Sequence, residues 1–357
     1  MSSIPKTMKA VLLTGHGGPE KLVWREDVPV PEPGPGEVLV KVAAAGVNNT
    51  DINTRIGWYA REVTTSTNEA EGAAVEAGGW AGAMRFPRIQ GGDLCGYVVA
   101  KGEGADRLAL GARVVSPNCL PRPRPDNPLN FIVIGSEIDG AFAEYCLMRE
   151  DDLYDVTASP LSDIELGAMP CAYGTAEGLL TRANVQPAER VLVTGASGGV
   201  GMAAVQLARL RGAHVTGVAA AAKAGAVKEA GAVEVIGRDD RLPERAFHKV
   251  IDVLGGPRWG ELLRALRPGG HYAASGAIAG PLVTADLRDV YLDDLTLHGS
   301  TFQPWQVFAR LVDVMNAGAV RPLVSKTYPL HEIHTAQADF EAKRYPGKLV
   351  LIPGDAT

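Results

Sequence analysis

The sequence predicts an α/β protein built from two unlike parts, one β-rich and one a doubly wound parallel sheet. Three observations carry this. Short apolar runs punctuated by Gly and Pro fill the first third of the chain. From about Leu161, apolar strands alternate with helical segments, the mark of βαβ crossovers. A Gly-rich turn, Thr194 to Gly201, joins the first of those strands to the first of those helices.

Taken in order, Lys9 to Leu13 and Val38 to Ala43 are apolar and short enough for strands. Between them, Val28 to Gly36 holds four prolines and can form neither a helix nor an inner strand. Tyr97 to Ala100 and Arg113 to Ser116 read as further strands of a small barrel or sandwich. Arg61 to Gly82 and Pro117 to Asn130 read as long loops, which in compact domains are often binding loops or lids. Leu161 to Ala183 has a helical pattern. The alternation then runs strand Arg190 to Gly195, helix Gly199 to Arg211, strand Ala213 to Val218, helix Ala222 to Ala230. Strands follow at Val233 to Ile236, Lys249 to Leu254, Gly270 to Ser275 and Thr296 to Gly299. The last fifty or so residues return to mixed character.

The chain of 357 residues suits two domains at roughly 150 residues each. Its apolar content of 46% excludes disorder as the dominant state. The net charge is -6, and no basic stripe exists, which argues against nucleic acid as a partner. The nearest basic cluster, Arg122 and Arg124 between prolines, reads as a solvated loop. The apolar stretch Val215 to Ala222 stops at Lys223, too short to span a bilayer, so no membrane role is expected. No signal-peptide core opens the sequence. The four cysteines, Cys95, Cys119, Cys146 and Cys171, are scattered and have no CxxC spacing. The expectation is reduced thiols in the cytoplasm.

The turn Ala196-x-Gly198-x-x-Gly201 is the dinucleotide fingerprint with Ala at its first position. Its candidate contacts are Ala196, Ser197, Gly198, Gly199, Val200 and Gly201. Gly residues let backbone N–H groups approach a pyrophosphate, and the helix start adds a positive dipole end. An NAD site usually has an acid at the end of the second strand for the ribose hydroxyls. Here that strand runs into Ala219 to Ala222, and the next charges are Lys223 and Arg238. Cations there suit a 2′-phosphate, which favours NADP(H) over NAD(H). The alternative is that both side chains lie on solvated faces. A short-chain dehydrogenase reading, with Tyr97 and Lys101 as the catalytic pair, fails on order, because that pair precedes the turn by about a hundred residues in a Val-rich strand.

The chain resembles the medium-chain dehydrogenase/reductase superfamily, in its zinc-lacking quinone oxidoreductase and enoyl reductase branch. The resemblance rests on Met8-Lys-Ala-Val-Leu, Pro35-Gly-Glu-Val-Leu-Val-Lys-Val, Ala45-Gly-Val-Asn-Asn-Thr-Asp51 and Gly91-Gly-Asp-Leu-Cys-Gly96. Asp139-Gly-Ala-Phe-Ala-Glu-Tyr145, Thr194 to Gly201, Leu266-Arg-Pro-Gly-Gly270 and Gly347-Lys-Leu-Val-Leu351 extend it over nearly the whole chain. It implies a GroES-like β-rich catalytic domain over 1–165 and 305–357, with a Rossmann domain of doubly wound parallel sheet inserted over 166–304. It also implies a homodimer paired through an edge strand, here Leu295 to Ser300.

Zinc-dependent members carry a Cys where this chain has Val47-Asn48, and Gly-His-Glu where it has Gly91-Gly92-Asp93. Only their third ligand, here Cys171, is kept. One thiol cannot make a catalytic zinc site, which needs three protein ligands. The expectation is therefore no metal, with Cys171 a packed thiol. Without that Lewis acid, alcohol oxidation is poorly supported, and hydride transfer to an activated carbon remains.

By resemblance, Asn48 sits near the nicotinamide ribose, and Thr175, Gly276 and Phe302 line the nicotinamide. Lys348 lies near the pyrophosphate. Asp51 holds its loop. Arg55 either faces the cleft or forms a salt bridge. Lys343 and Arg344 either reach the adenosine phosphate or lie on a solvated helix. Tyr59 is the candidate proton donor, and Trp58 and Trp305 either line an acceptor pocket or pack the core. The expected function is NADPH-dependent reduction of a quinone or an α,β-unsaturated carbonyl. The alternatives are a zinc-independent alcohol or aldehyde oxidoreductase, and a cofactor-binding protein without turnover.

Overall fold

The structure is a computed structural model that describes residues 4–67, 69 and 79–354. Residues 68 and 70–78, within the long loop anticipated after Arg61, lie outside the described residues. The chain divides into two units, one within 1–63, 70–171 and 304–357, the other within 64–69 and 172–303.

The first unit begins with β1 (Thr7–Leu13), β2 (Leu22–Pro29) and β3 (Glu37–Gly46). The proline-rich stretch contributes only Val28 and Pro29 to β2, which is the outer strand of its sheet, where a missing N–H costs nothing. Helix α1 (Asn49–Ile56) starts at the N-cap Asn48 and stops at Gly57, whose φ of 73° is left-handed. Next come β4 (Arg88–Ile89), β5 (Leu94–Lys101) and β6 (Arg113–Ser116). The expected loop from Pro117 to Asn130 is corrected in part. It contains β7 (Cys119–Pro121), which pairs antiparallel with β8 (Phe131–Val133). This two-stranded ribbon accepts prolines that a central strand would exclude. β9 (Tyr145–Arg149) and β10 (Tyr154–Asp155) follow. Then come α2 (Asp163–Gly167), capped by Ser162 and Glu165, and α3 (Pro170–Arg182).

In the second unit the alternation appears as expected. β11 (Arg190–Val193), α4 (Gly199–Leu210), β12 (His214–Ala219), α5 (Ala224–Glu229), β13 (Glu234–Gly237) and β14 (Phe247–Asp252) follow in turn. α6 (Trp259–Ala265), β15 (Leu266–Ala274), α7 (Leu287–Tyr291) and β16 (Thr296–Gly299) complete it. All five pairings are parallel, in the order β13-β12-β11-β14-β15-β16. This is the Rossmann order, with the reversal between β11 and β14. Leu192, Phe247, Val250, Leu263 and Leu266 form the core on one face. The central strands β11 and β12 are buried along almost their whole length and read as continuous apolar runs, which made them visible in the sequence.

The last segment adds α8 (Trp305–Asn316), β17 (Val324–Pro329), α9 (Ile333–Glu341) and β18 (Lys348–Ile352) to the first unit. The large sheet of that unit runs β10-β6-β5-β3-β18-β17, with β9 also on β3. β18 pairs antiparallel with the end of β3, Val350 opposite Gly46 and Leu351 opposite Ala45. This register sets Lys348 at the level of Asn48, and that juxtaposition builds a polar cluster.

Candidate active site

In the first unit, Asn48, Asp93 and Lys348 are all buried. Lys348 Nζ donates to Asn48 Oδ1 at 2.5 Å, Asp93 Oδ2 at 2.9 Å and Val47 O at 3.2 Å. Asn48 Nδ2 donates to Asp93 Oδ2 at 2.8 Å and Gly46 O at 3.2 Å. Asp93 Oδ1 accepts the backbone N–H of Cys171 at 2.6 Å. The packing is close enough that a Cβ on Gly46 would stand 2.3 Å from Asp93 Oδ2. An ammonium has three protons, and here all three are placed. Lys348, expected near the pyrophosphate, stands in this structure at the centre of a buried ion pair. Asp93 as its counter-ion was not foreseen. The only signal was an acid in Gly91-Gly-Asp, distant in sequence from its partner.

Asp51, at the third position of α1, accepts the Asn48 N–H at 2.8 Å and so fixes the helix start. Burial first, and then the negative charge of Asp93, raise its carboxyl from 3.8 to about 7. Gln90 Nε2 donates to Asp51 O at 2.9 Å and Thr54 Oγ1 at 2.7 Å, tying β4 to the helix. Tyr59 OH donates to Thr50 Oγ1 at 3.2 Å. Burial pushes this phenol up to about 12, so it keeps its proton at neutral pH. The Tyr59 ring stacks on Trp80 at 5.6 Å and meets Trp58 edge-on.

Arg55 does not join this group. Its side chain is 2% exposed, and it donates to Gly17 O at 3.1 Å and Glu341 Oε1 at 3.0 Å. The salt-bridge alternative is the observed one, and a catalytic Arg55 is corrected to a tie between α1 and α9. Arg344 pairs with Asp339 at 3.4 Å, and Lys343 lies over the Phe340 ring at 4.1 Å. Tyr97 OH donates to Asp163 and Lys101 Nζ to Leu108 O, which disposes of them as a catalytic pair. Cys171 is buried, and desolvation holds its thiol in the protonated form, well above the ordinary thiol range. Among the described residues no group of three or more His, Cys, Asp or Glu side chains could hold a metal ion.

The second unit carries the dinucleotide turn at the carboxyl end of β11. Thr194 Oγ1 donates to Asp252 Oδ1 at 2.6 Å and accepts the Val253 N–H at 3.1 Å. Asp252, fully buried, also accepts Tyr272 OH at 2.6 Å and the Leu254 N–H at 2.9 Å. This lock ties the ends of β11, β14 and β15 at the switch point, and sequence reading missed it. Gly195 has a φ of 55°. A Cβ on Gly201 would come 2.1 Å from Gly195 O, whereas one on Gly198 would meet nothing nearer than 3.4 Å. Gly201 thus lets α4 press on the turn, and Gly198 leaves open space above it.

The N-terminus of α4 has no side-chain cap and no acid in its first turn. Gly199 and Val200 there, with half-exposed Ser197 and buried Ala196, form a cradle suited to a phosphate. Lys223 and exposed Arg238 follow β12 and β13. Burial first, and then the charge of Arg238, lower the Lys223 ammonium, so two cations converge past the strand ends. Gly276 follows β15 with a φ of 115°, and Phe302 follows β16. Half-buried Thr175 lies on α3. In a parallel sheet the strand ends share one edge, and ligands bind there.

The chain matches the alcohol dehydrogenase GroES-like domain over residues 34–158 and the zinc-binding dehydrogenase domain over residues 199–317. It is 30% identical to a quinone oxidoreductase of Lama guanicoe, over 99% of both chains. It is 28% identical to an acryloyl-coenzyme A reductase of Metallosphaera sedula, over 96% of this chain and 99% of that one. A solved alcohol-dehydrogenase-like chain from Sinorhizobium meliloti 1021 is 45% identical over 99% of each chain, with a TM-score of 0.88. Sequence motifs, strand order and these likenesses converge: the chain belongs to the medium-chain dehydrogenase/reductase superfamily and is an oxidoreductase of that family.

Proposed function

We propose that this protein is a zinc-independent, NADPH-dependent reductase of quinones or α,β-unsaturated carbonyl compounds. The observation that carries this reading is the buried Asn48–Asp93–Lys348 cluster. Where zinc-dependent members gather ligands, this chain has a neutral amide, a carboxylate already paired to an ammonium, and a protonated thiol at Cys171. That donor set does not fit a catalytic zinc. The relatives named as quinone oxidoreductase and acryloyl-coenzyme A reductase support the acceptor class.

The turn from Ala196 to Gly201 is assigned the pyrophosphate, and Lys223 and Arg238 the 2′-phosphate. Thr175, Gly276 and Phe302 are assigned the nicotinamide end, and Asn48 its ribose. The bound cofactor supplies a hydride. Hydride addition at a conjugated carbon leaves negative charge on the acceptor oxygen, so this chain needs donors rather than a Lewis acid. Tyr59, kept protonated and hydrogen-bonded to Thr50, is the proposed proton source. The division of labour we propose is a GroES-like catalytic domain over 1–165 and 305–357 and a Rossmann domain over 166–304. The four free cysteines are buried, in keeping with a cytoplasmic setting. No described helix is long and apolar enough to cross a membrane.

The test is cofactor oxidation with a panel of quinones and enones, with and without a chelator. Turnover that survives chelation, prefers NADPH, and loses that preference about tenfold or more in Lys223→Ala/Arg238→Ala is expected. Tyr59→Phe should lower kcat about 10²-fold with the melting curve unmoved. A folded protein that turns over neither class, or an activity that appears only with stoichiometric zinc, overturns the proposal.

A further inference from the structure

A cavity of about 780 Å³ opens in the first unit and shares no lining residue with the Asn48–Asp93–Lys348 cluster. Four guanidinium groups line it, from Arg107, Arg122, Arg124 and Arg149, against two carboxylates, Asp151 and Asp152. Asp152 is 2% exposed and takes both arms of Arg122, at 3.0 and 2.5 Å. That pair holds Arg122 rigidly at the end of β7, where the ribbon bonds Arg122 N–H to Asn130 O at 2.8 Å. Arg107 donates to the carbonyls of Glu150 and Leu153, and its charge also faces the Glu150 carboxylate. The Glu150 carboxylate behind the wall is engaged by the Arg107 and Leu108 backbone N–H groups and faces Lys101 as well. Arg149 and Asp151 stand 3.9 Å apart at the exposed rim, a loose pair. Arg124 is exposed and pairs with no carboxylate among the described residues. The lining therefore carries two positive charges in excess.

Part of the lining is aromatic. Trp305, the first residue of α8, lines the cavity beside Tyr154. Tyr154 OH donates to Trp305 O at 3.3 Å, and its ring packs on Phe308 at 5.3 Å, so this wall is also fixed. Arginines and an aromatic face lining one cavity suit a ligand that carries both phosphates and a base. The volume is that of a site for a whole small molecule rather than a single anion.

We propose that this cavity binds the phosphorylated nucleotide end of a ligand, phosphates on Arg124 and Arg149 and the base against Trp305. Two sources share that chemistry. One is a free nucleotide. The other, which rests on the enone reading above, is the tail of a nucleotide-thioester carrier that brings the acceptor. β7 begins next to Asn118, whose Nδ2 a Cβ on Gly92 would approach to 2.0 Å, and Arg122 lies four residues on. At strand rise this is roughly 13 Å from the neighbourhood of Asp93, within the span of a carrier arm.

Adenosine 3′,5′-bisphosphate, ATP and inorganic phosphate are titrated by calorimetry onto the full chain, with NADPH present at saturation. Saturable binding of the bisphosphate or ATP, at least tenfold tighter than phosphate and at least tenfold weaker in Arg124→Ala/Arg149→Ala, is expected. Both substituted side chains are exposed, and an unshifted melting curve shows that the variant is folded. No saturable binding, binding of phosphate alone, or equal affinity in the variant overturns the site. A second arm compares KM for an enoyl thioester of coenzyme A with that for the same enoyl group on a short thiol. A KM rise of about tenfold in the variant for the coenzyme A thioester alone supports the carrier tail. Unchanged KM values with nucleotide binding lost support a free nucleotide. Turnover of simple enones by the wild type reports on the proposed function separately.

Discussion

At the scale of single residues, Lys348 and Asp93 are the pair on which the first unit turns. Their side chains are 3% and 0% exposed, and Nζ stands 2.9 Å from Oδ2. Breaking a buried pair by removing one partner leaves an uncompensated charge, at about 3–5 kcal/mol. Lys348→Met should therefore lose about that much in chemical denaturation, while Asp93→Asn/Lys348→Met recovers at least half of it. A Lys348→Met chain with an unchanged midpoint but weakened cofactor binding would return this lysine to the phosphate. Asp51 gives a pH signature. Its folded carboxyl titrates near 7 against an ordinary 3.8, so between those values the folded chain holds more protons than the unfolded one. Its contribution to stability is fully present below about pH 4 and fades as pH rises towards 7. Asp51→Asn mimics the protonated form. It should match the wild type near pH 4 and exceed it near pH 8, by on the order of 1–4 kcal/mol. Parallel stability curves would refute the raised value. The Lys348–Asp93 pair was not legible from the sequence, because a contact between positions 93 and 348 leaves no periodic trace. Only the register of β18 on β3 creates it.

At the scale of elements, legibility followed burial and length. β11 and β12, buried along almost their whole length, stood out as apolar runs, whereas the more exposed edge strands β13 and β16 were placed by the βαβ alternation around them. β4 and β10, two residues each, and the ribbon β7–β8 carry too few side chains to show a period. The prolines at 121, 123 and 125 hid that ribbon further. The strand-to-helix turn was visible because its glycines are required one by one, and they separate two roles. Gly201→Ala places a Cβ 2.1 Å from Gly195 O, so α4 must shift, whereas Gly198→Ala has 3.4 Å of clearance and an ordinary φ of -86°. Gly201→Ala should lower the melting midpoint and NADPH affinity together. Gly198→Ala should keep the midpoint and lose affinity by about tenfold or more, because its methyl group enters the space assigned to phosphate. Fluorescence titration beside thermal melting reads both. Equal behaviour of the two variants would mean that the turn only packs.

At the scale of the whole molecule, the sheet of the second unit ends at β16, which among the described residues pairs only with β15. The segment that leads into β16 is unusually apolar for a surface. Leu282, Leu287 and Leu292 are 67–71% exposed, and Tyr291 and Leu297 are also open to solvent. An edge strand with a wet apolar surround invites pairing with another chain. A second copy of this chain is the simplest cover, since one edge can meet its twin about a two-fold axis. This agrees with the homodimer that the family resemblance implies. The pairing would bury the leucines and satisfy the free backbone groups of β16 together, so it should be sensitive to charge placed on that edge. Leu292→Lys/Leu297→Lys changes only exposed side chains, and the fold of each chain should survive it. Sedimentation velocity is expected to show a dimer for the wild type and a monomer for the double variant. Two outcomes would move the interface elsewhere or remove it: a variant that remains dimeric, or a wild type that sediments as a monomer at micromolar concentration.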